Sequence, residues 1–88
     1  MENRNSYGLS PDQILEESRY QIETEGLYLD KFYDNNLLEH CTQVARFSIL
    51  LGIQYHLDMH TLILLGMGGL LHDIGKSQIA RRIMDKPS

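Results

Sequence analysis

The stretch Asp58-Met59-His60-Thr61-Leu62-Ile63-Leu64-Leu65-Gly66-Met67-Gly68-Gly69-Leu70-Leu71-His72-Asp73-Ile74-Gly75-Lys76 decides how this chain folds. Asp58 is suited to cap a helix, and Leu62, Leu65, Gly66, Gly69 and Leu70 repeat behind it at helical spacing. The spacing predicts a helix over about 59–72. Gly66, Gly68 and Gly69 are costly inside a helix and make sense where another backbone packs closely. Gly75 is expected to break the helix and to free the backbone just after His72-Asp73. A histidine beside an aspartate at a helix end offers one nitrogen and one oxygen to a divalent metal. Lys76, about one helical turn further, suits an anionic substrate. Together these residues point to the chemistry of phosphate-ester hydrolysis.

Upstream, Asp34-Asn35-Asn36 is a cap cluster, and Leu37, Cys41, Val44, Ser48 and Leu51 follow a three-four rhythm as far as Tyr55. Leu38, Ala45 and Ile49 widen that stripe, as a core-facing helix requires, and Gly52 is expected to loosen its end. Further upstream, Ser10-Pro11-Asp12-Gln13 reads as a capping box with proline at the first helical position. Ile14, Leu15, Ser18 and Ile22 follow it, which predicts a helix over about 11–25. Leu27, Leu29, Phe32 and Tyr33 predict a second or continuing turn to about 33, weakened at Gly26 by ~1 kcal/mol. Residues 1–9 read as a loosely attached lead. Downstream, Ile79, Ile83 and Met84 predict a short helix over about 78–84 before Pro87. No segment alternates with period two. The fold class is therefore all-α, a helical bundle, in two parts: 1–33, a lead and helix, and 34–88.

Eighty-eight residues allow one small domain, and a chain this short buries roughly 60–65% of its unfolded surface, so a partner or a metal is expected to add stability. The apolar share of 42% beside 23% charged residues is that of an ordinary globular chain. No run of ~18 apolar residues exists to span a membrane, and no secretory signal is visible behind Met1-Glu2-Asn3-Arg4-Asn5. The single Cys41 excludes an internal disulfide and suits a reducing, cytoplasmic setting. The net charge of −4 is uneven: residues 1–40 carry −6 and residues 41–88 carry +2. An acidic lead does not suit a nucleic-acid polymer as partner, whereas the basic end attracts a small anion.

His40 opens the middle helix. Nineteen residues later the chain reaches Met59, and the return helix ends at His72. Two antiparallel helices of similar length bring these histidines to one end of the pair. Two imidazoles and a carboxylate, His40, His72 and Asp73, suit a divalent ion such as Mn, Fe or Zn, and such an ion acidifies bound water. His56 and His60 flank the turn at the other end and read as exposed loop histidines. Cys41 reads as a small buried hydrophobe, and Met59, Met67 and Met84 as core filler.

Residues 66–76, Gly-Met-Gly-Gly-Leu-Leu-His-Asp-Ile-Gly-Lys, resemble the signature of HD-domain phosphohydrolases, in particular the HD-GYP branch. Ile79, Ile83-Met84 and Lys86-Pro87 follow at matching places. His40-Cys41-Thr42-Gln43-Val44-Ala45 resembles the first metal histidine of that family and the helix it opens, and the 32-residue step from His40 to His72 fits. The resemblance covers about residues 34–88. It implies an all-α, metal-dependent phosphodiesterase acting on cyclic di-GMP. His40, His72 and Asp73 would be metal ligands, Asp73 would also bridge metals and orient the attacking water, and Lys76 would contact the substrate phosphate. An upstream regulatory domain commonly joins such domains through a helical lead.

The sequence also departs from that pattern. Asn36 stands where the family carries a glutamate when a third metal is bound, and Ala80 stands where it has a proline. After Lys76 there is no histidine, Asp85 is the single acid, and no Gly-Tyr-Pro motif occurs. The chain therefore resembles the first half of the catalytic domain, as a truncated form or a natural remnant. Its metal is expected to be weakly held, and its exposed half-core to pair as a homodimer or domain-swapped assembly. Two other readings of the same residues are a non-catalytic helical module for dimerisation or signal relay, and another HD-type nucleotide phosphohydrolase.

Overall fold

A computed structural model describes the backbone of residues 8–85 and the side chains of residues 8–74. The first helix, α1, spans Pro11–Thr24. The Ser10 hydroxyl oxygen accepts the Gln13 N–H at 3.2 Å and Gln13 Oε1 accepts the Ser10 N–H at 2.8 Å, which is the expected capping box. Ile14, Leu15, Ser18 and Ile22 form its buried face together with Pro11. Gly26, at φ +88°, ends the helix: its N–H reaches the Glu23 carbonyl and the Leu27 N–H reaches the Ile22 carbonyl, satisfying two orphan acceptors. The turn expected to continue the helix to 33 is a separate 3-10 turn at Leu29–Lys31. It buries Leu29 and Tyr33 and leaves Phe32 exposed.

The second helix, α2, spans Asn35–Gln54, and Asp34 Oδ1 caps it by accepting the Leu37 N–H at 2.8 Å. Its buried stripe is Cys41, Ala45, Ile49 and Gly52. This corrects the expected seam. Cys41 belongs to it, as do Ala45 and Ile49 from its widened edge, but Leu37, Val44 and Ser48 are half-buried and Leu51 is 45% exposed. The reason lies in the facing helix, which presents its glycines, so α2 turns its smallest residues toward it. Gly52 does not loosen the helix end; a Cβ there would lie 2.6 Å from Leu62 Cδ2 and 2.8 Å from Leu65 Cδ1. The helix closes with His56 at φ 58°, whose N–H meets the Ile53 carbonyl while the Leu57 N–H meets the Gly52 carbonyl.

The third helix, α3, spans Met59–Asp85 without interruption. Asp58 Oδ1 accepts the Thr61 N–H at 2.8 Å, as expected of a cap. The break expected at Gly75 and the separate helix over 78–84 do not occur. One glycine costs ~1 kcal/mol, and adding residues to a helix already nucleated is cheap. The described residues contain no strand, and no helix among them is long and apolar enough to cross a membrane. Residues 1–7 of the expected lead, and Lys86-Pro87, lie outside the described residues, as do the side chains of Lys76, Ile79, Ala80, Ile83 and Met84, while Leu9 of that lead packs against the core.

α2 and α3 run antiparallel. Gly52 meets Leu62 and Leu65 at one end, Ala45 meets Gly69 in the middle, and Cys41 meets Asp73 at the other. A Cβ on Gly69 would stand 2.5 Å from Ala45 Cα, so the two backbones nearly touch there. Gly68 departs from the expectation for the three glycines, because a Cβ there would meet open space. α1 lies across the pair. The Ser18 hydroxyl, fully buried, sits 2.9 Å from the Ile14 carbonyl and 3.1 Å from the Ile63 carbonyl, and Gly66 leaves room for it. The core is Ile14, Leu15, Ile22, Leu29, Tyr33, Cys41, Ala45, Ile49, Leu62 and Leu70. Met59 and Met67 pack at its edge, half-buried.

Candidate metal centre

The near contact of Ala45 with Gly69 sets the distance between α2 and α3. About one turn beyond it, each helix carries a histidine on its solvent edge. The rings of His40 and His72 stand 5.7 Å apart, centroid to centroid, tilted by 57°. His40, His72 and Asp73 each offer one ligand atom, and these atoms lie within 4.8 Å of one another. All three side chains expected as ligands are thus brought together. The expected turn of the backbone at Gly75 is not needed, because His72 and Asp73 converge while α3 stays helical.

The hydrogen bonds assign the two nitrogens of His72. Nδ1 lies 2.6 Å from the Gly69 carbonyl oxygen. A carbonyl only accepts, so Nδ1 carries a proton, and in the neutral ring Nε2 presents its lone pair. Nε2 lies 3.5 Å from Asp73 Oδ2. In the neutral ring the Nε2 lone pair faces a carboxylate oxygen across that gap, where a proton or a cation fits between them. An ion with bonds of about 2.1 Å spaces tetrahedral ligand atoms roughly 3.4 Å apart, so the His72–Asp73 pair already has the right separation. His40 is exposed, and its ligand atom lies within 4.8 Å of the other two. Holding the distal nitrogen of a ligating histidine on a backbone carbonyl is also how metal sites orient their imidazoles.

Beneath the pair lies a polar contact that sequence reasoning missed. The Cys41 thiol is 3.6 Å from Asp73 Oδ2, the same oxygen that faces His72. The Tyr33 hydroxyl stands beside the Cys41 sulfur and donates to the Leu70 carbonyl at 2.8 Å. Burial pushes the Tyr33 phenol well above its usual range, and burial is also the main reason the Cys41 thiol is raised, so both keep their protons at neutral pH. Cys41 is fully buried, as expected of a small apolar residue. Its contact with Asp73 was signalled by register alone, since Cys41 and Asp73 are separated by the same 32 residues as His40 and His72.

His56 and His60 are exposed at the far end of the helix pair, as expected. Lys76 continues the α3 register, three residues beyond Asp73 and four beyond His72. Comparison with family models, curated proteins and solved structures finds no match to this chain.

Proposed function

We propose that the chain is the first half of a metal-dependent phosphodiesterase domain of the HD-GYP kind, with a cyclic dinucleotide as substrate. The observation that carries this reading is the convergence of His40, His72 and Asp73 from two helices onto one point. A divalent ion held there, Mn, Fe or Zn, would supply Lewis acidity to a phosphate oxygen and to water. His72 would ligate through Nε2, the nitrogen left free by its bond to Gly69. Asp73, beside it, would take its share of the ion and accept a proton from the attacking water. Lys76 lies one turn further along the same unbroken helix, at a register suited to a non-bridging phosphate oxygen. Three protein ligands leave coordination positions open and hold an ion weakly, so these 88 residues are expected to turn substrate over slowly on their own.

The test is metal content of the purified chain, with His72→Ala as control, followed by hydrolysis of cyclic di-GMP. Metal retained equally by the variant removes the site. Rapid turnover by these residues alone removes the claim that further ligands are essential.

A second reading, a non-catalytic module that pairs with another copy of itself, is favoured by one observation. Phe47 and Leu51 on α2 and Tyr55 at its C-cap follow helical spacing, away from the core, and are 62%, 45% and 74% exposed. Apolar surface of this kind marks an interaction site. Sedimentation of the chain with and without Phe47→Glu tests it: a dimer dissociated by the charge supports the module, and a monomer in both removes it.

A further inference from the structure

Asp73 Oδ2 is the meeting point of the candidate site. On its outer side, His72 Nε2 faces it at 3.5 Å; on its inner side, the Cys41 sulfur lies at 3.6 Å. A thiol has one proton to give, and two acceptors are near it, Asp73 and the oxygen of Tyr33. The carboxylate is the stronger acceptor, because hydrogen bonds to ionised groups are roughly twice as strong as neutral ones. Tyr33 does not compete as a donor, since its own proton is committed to the Leu70 carbonyl at 2.8 Å. The backbone around the thiol is also rigid: Cys41 is fully buried one turn from Ala45, whose backbone nearly touches Gly69. Asp73 itself sits in mid-helix, where an aspartate side chain has several rotamers open to it.

We propose that Cys41 is a positioning residue: its thiol donates to Asp73 Oδ2 and holds that carboxylate in the orientation that faces His72 Nε2. This rests on the reading of His40, His72 and Asp73 as a metal site. Groups that hold a ligating side chain from behind typically contribute 10–100-fold to metal affinity.

The test titrates Mn²⁺ into the chain and counts free ion by its electron paramagnetic resonance signal, with thermal melting of each variant alongside. Cys41→Ala removes the donor, Cys41→Val removes it while filling the volume, and Cys41→Ser keeps a donor. The expected result is Mn²⁺ binding weakened about 10–100-fold in the alanine and valine variants and largely kept in the serine variant. The serine variant is the informative one, because it keeps a donor toward Asp73 while giving up the apolar packing of the sulfur. Affinity that follows the melting temperature, with serine as poor as alanine, makes the role purely structural and overturns the proposal. Affinity unchanged in the alanine and valine variants, with the wild type binding, overturns it too while leaving the metal site standing. A wild-type chain that binds no Mn²⁺ defeats the site reading itself, and this inference with it.

Discussion

The α2–α3 pair carries two histidines at each end, and the two ends differ in what their nearest carboxylate is doing. At the turn, Asp58 is near His60, but its oxygens accept from Thr61, so the carboxylate is spent on capping α3. At the opposite end, Asp73 is in mid-helix with no cap to serve, and its Oδ2 faces His72 and Cys41. The turn end is packed through Gly52 against Leu62 and Leu65, with His56 and His60 left exposed outside that contact. The site end is drawn together by the Ala45–Gly69 contact. A pair of histidines with an acid nearby is therefore uninformative until the acid's other obligations and the helix spacing are known.

The largest effect should come from breaking that spacing. Gly69→Ala places a methyl 2.5 Å from Ala45 Cα, a backbone atom with nowhere to go. We expect a loss of about 2–3 kcal/mol in urea unfolding, at the upper range for overpacking, and weaker Mn²⁺ binding with it. The neighbouring Gly68→Ala enters open space and should stabilise by roughly 0.5–1 kcal/mol, the ordinary gain in a helix interior. Opposite signs at adjacent glycines would establish that the helix contact, and not glycine content, holds the site together.

His72→Ala should weaken Mn²⁺ binding by at least about 100-fold, since even outer groups contribute up to that much. The double variant His56→Ala with His60→Ala, at the turn end, should bind Mn²⁺ as the wild type does. Equal losses from both ends would erase the distinction.

His56 itself offers a smaller and purely structural test. It occupies the left-handed region at φ 58°, where glycine has no Cβ penalty. His56→Gly should raise stability by about 1 kcal/mol, measured by chemical unfolding, with the site unaffected.

The smallest effect concerns Asp58. Hydrogen bonds from the Thr61 side chain and then its backbone N–H hold the Asp58 carboxyl below its usual range. A carboxyl lowered on folding adds stability that is present above its unfolded value and is lost as pH falls through its folded value. Asp58→Asn keeps a capping oxygen but does not titrate. The wild-type melting temperature should therefore fall relative to that of Asp58→Asn as pH drops below about 4. Parallel curves would remove the assignment of Asp58 as a charged cap.

Much of this molecule is legible without coordinates. The capping box at Ser10 and Gln13, the caps Asp34 and Asp58 and the all-helical class follow from short-range rules, because a cap needs only residues three positions apart. The convergence of His40 with His72 and Asp73 also follows, since an antiparallel pair joined by a short turn brings together residues at similar distances from that turn, although α3 runs on past the expected end at His72. Tertiary structure decided the rest. Which face of α2 is buried depended on α3 presenting Gly69, which centred the seam on Ala45 and Ile49, expected only at the edge of the stripe, and left Leu51 outside. Whether α3 stops at Gly75 depended on the whole helix and not on one residue's propensity. That Cys41 reaches Asp73, and that His72 presents Nε2, are distances between side chains on packed helices. Local sequence sets caps and periods, because those interactions span one turn. It does not set the rotation of one helix against another, because that angle is chosen by the closest approach of two backbones.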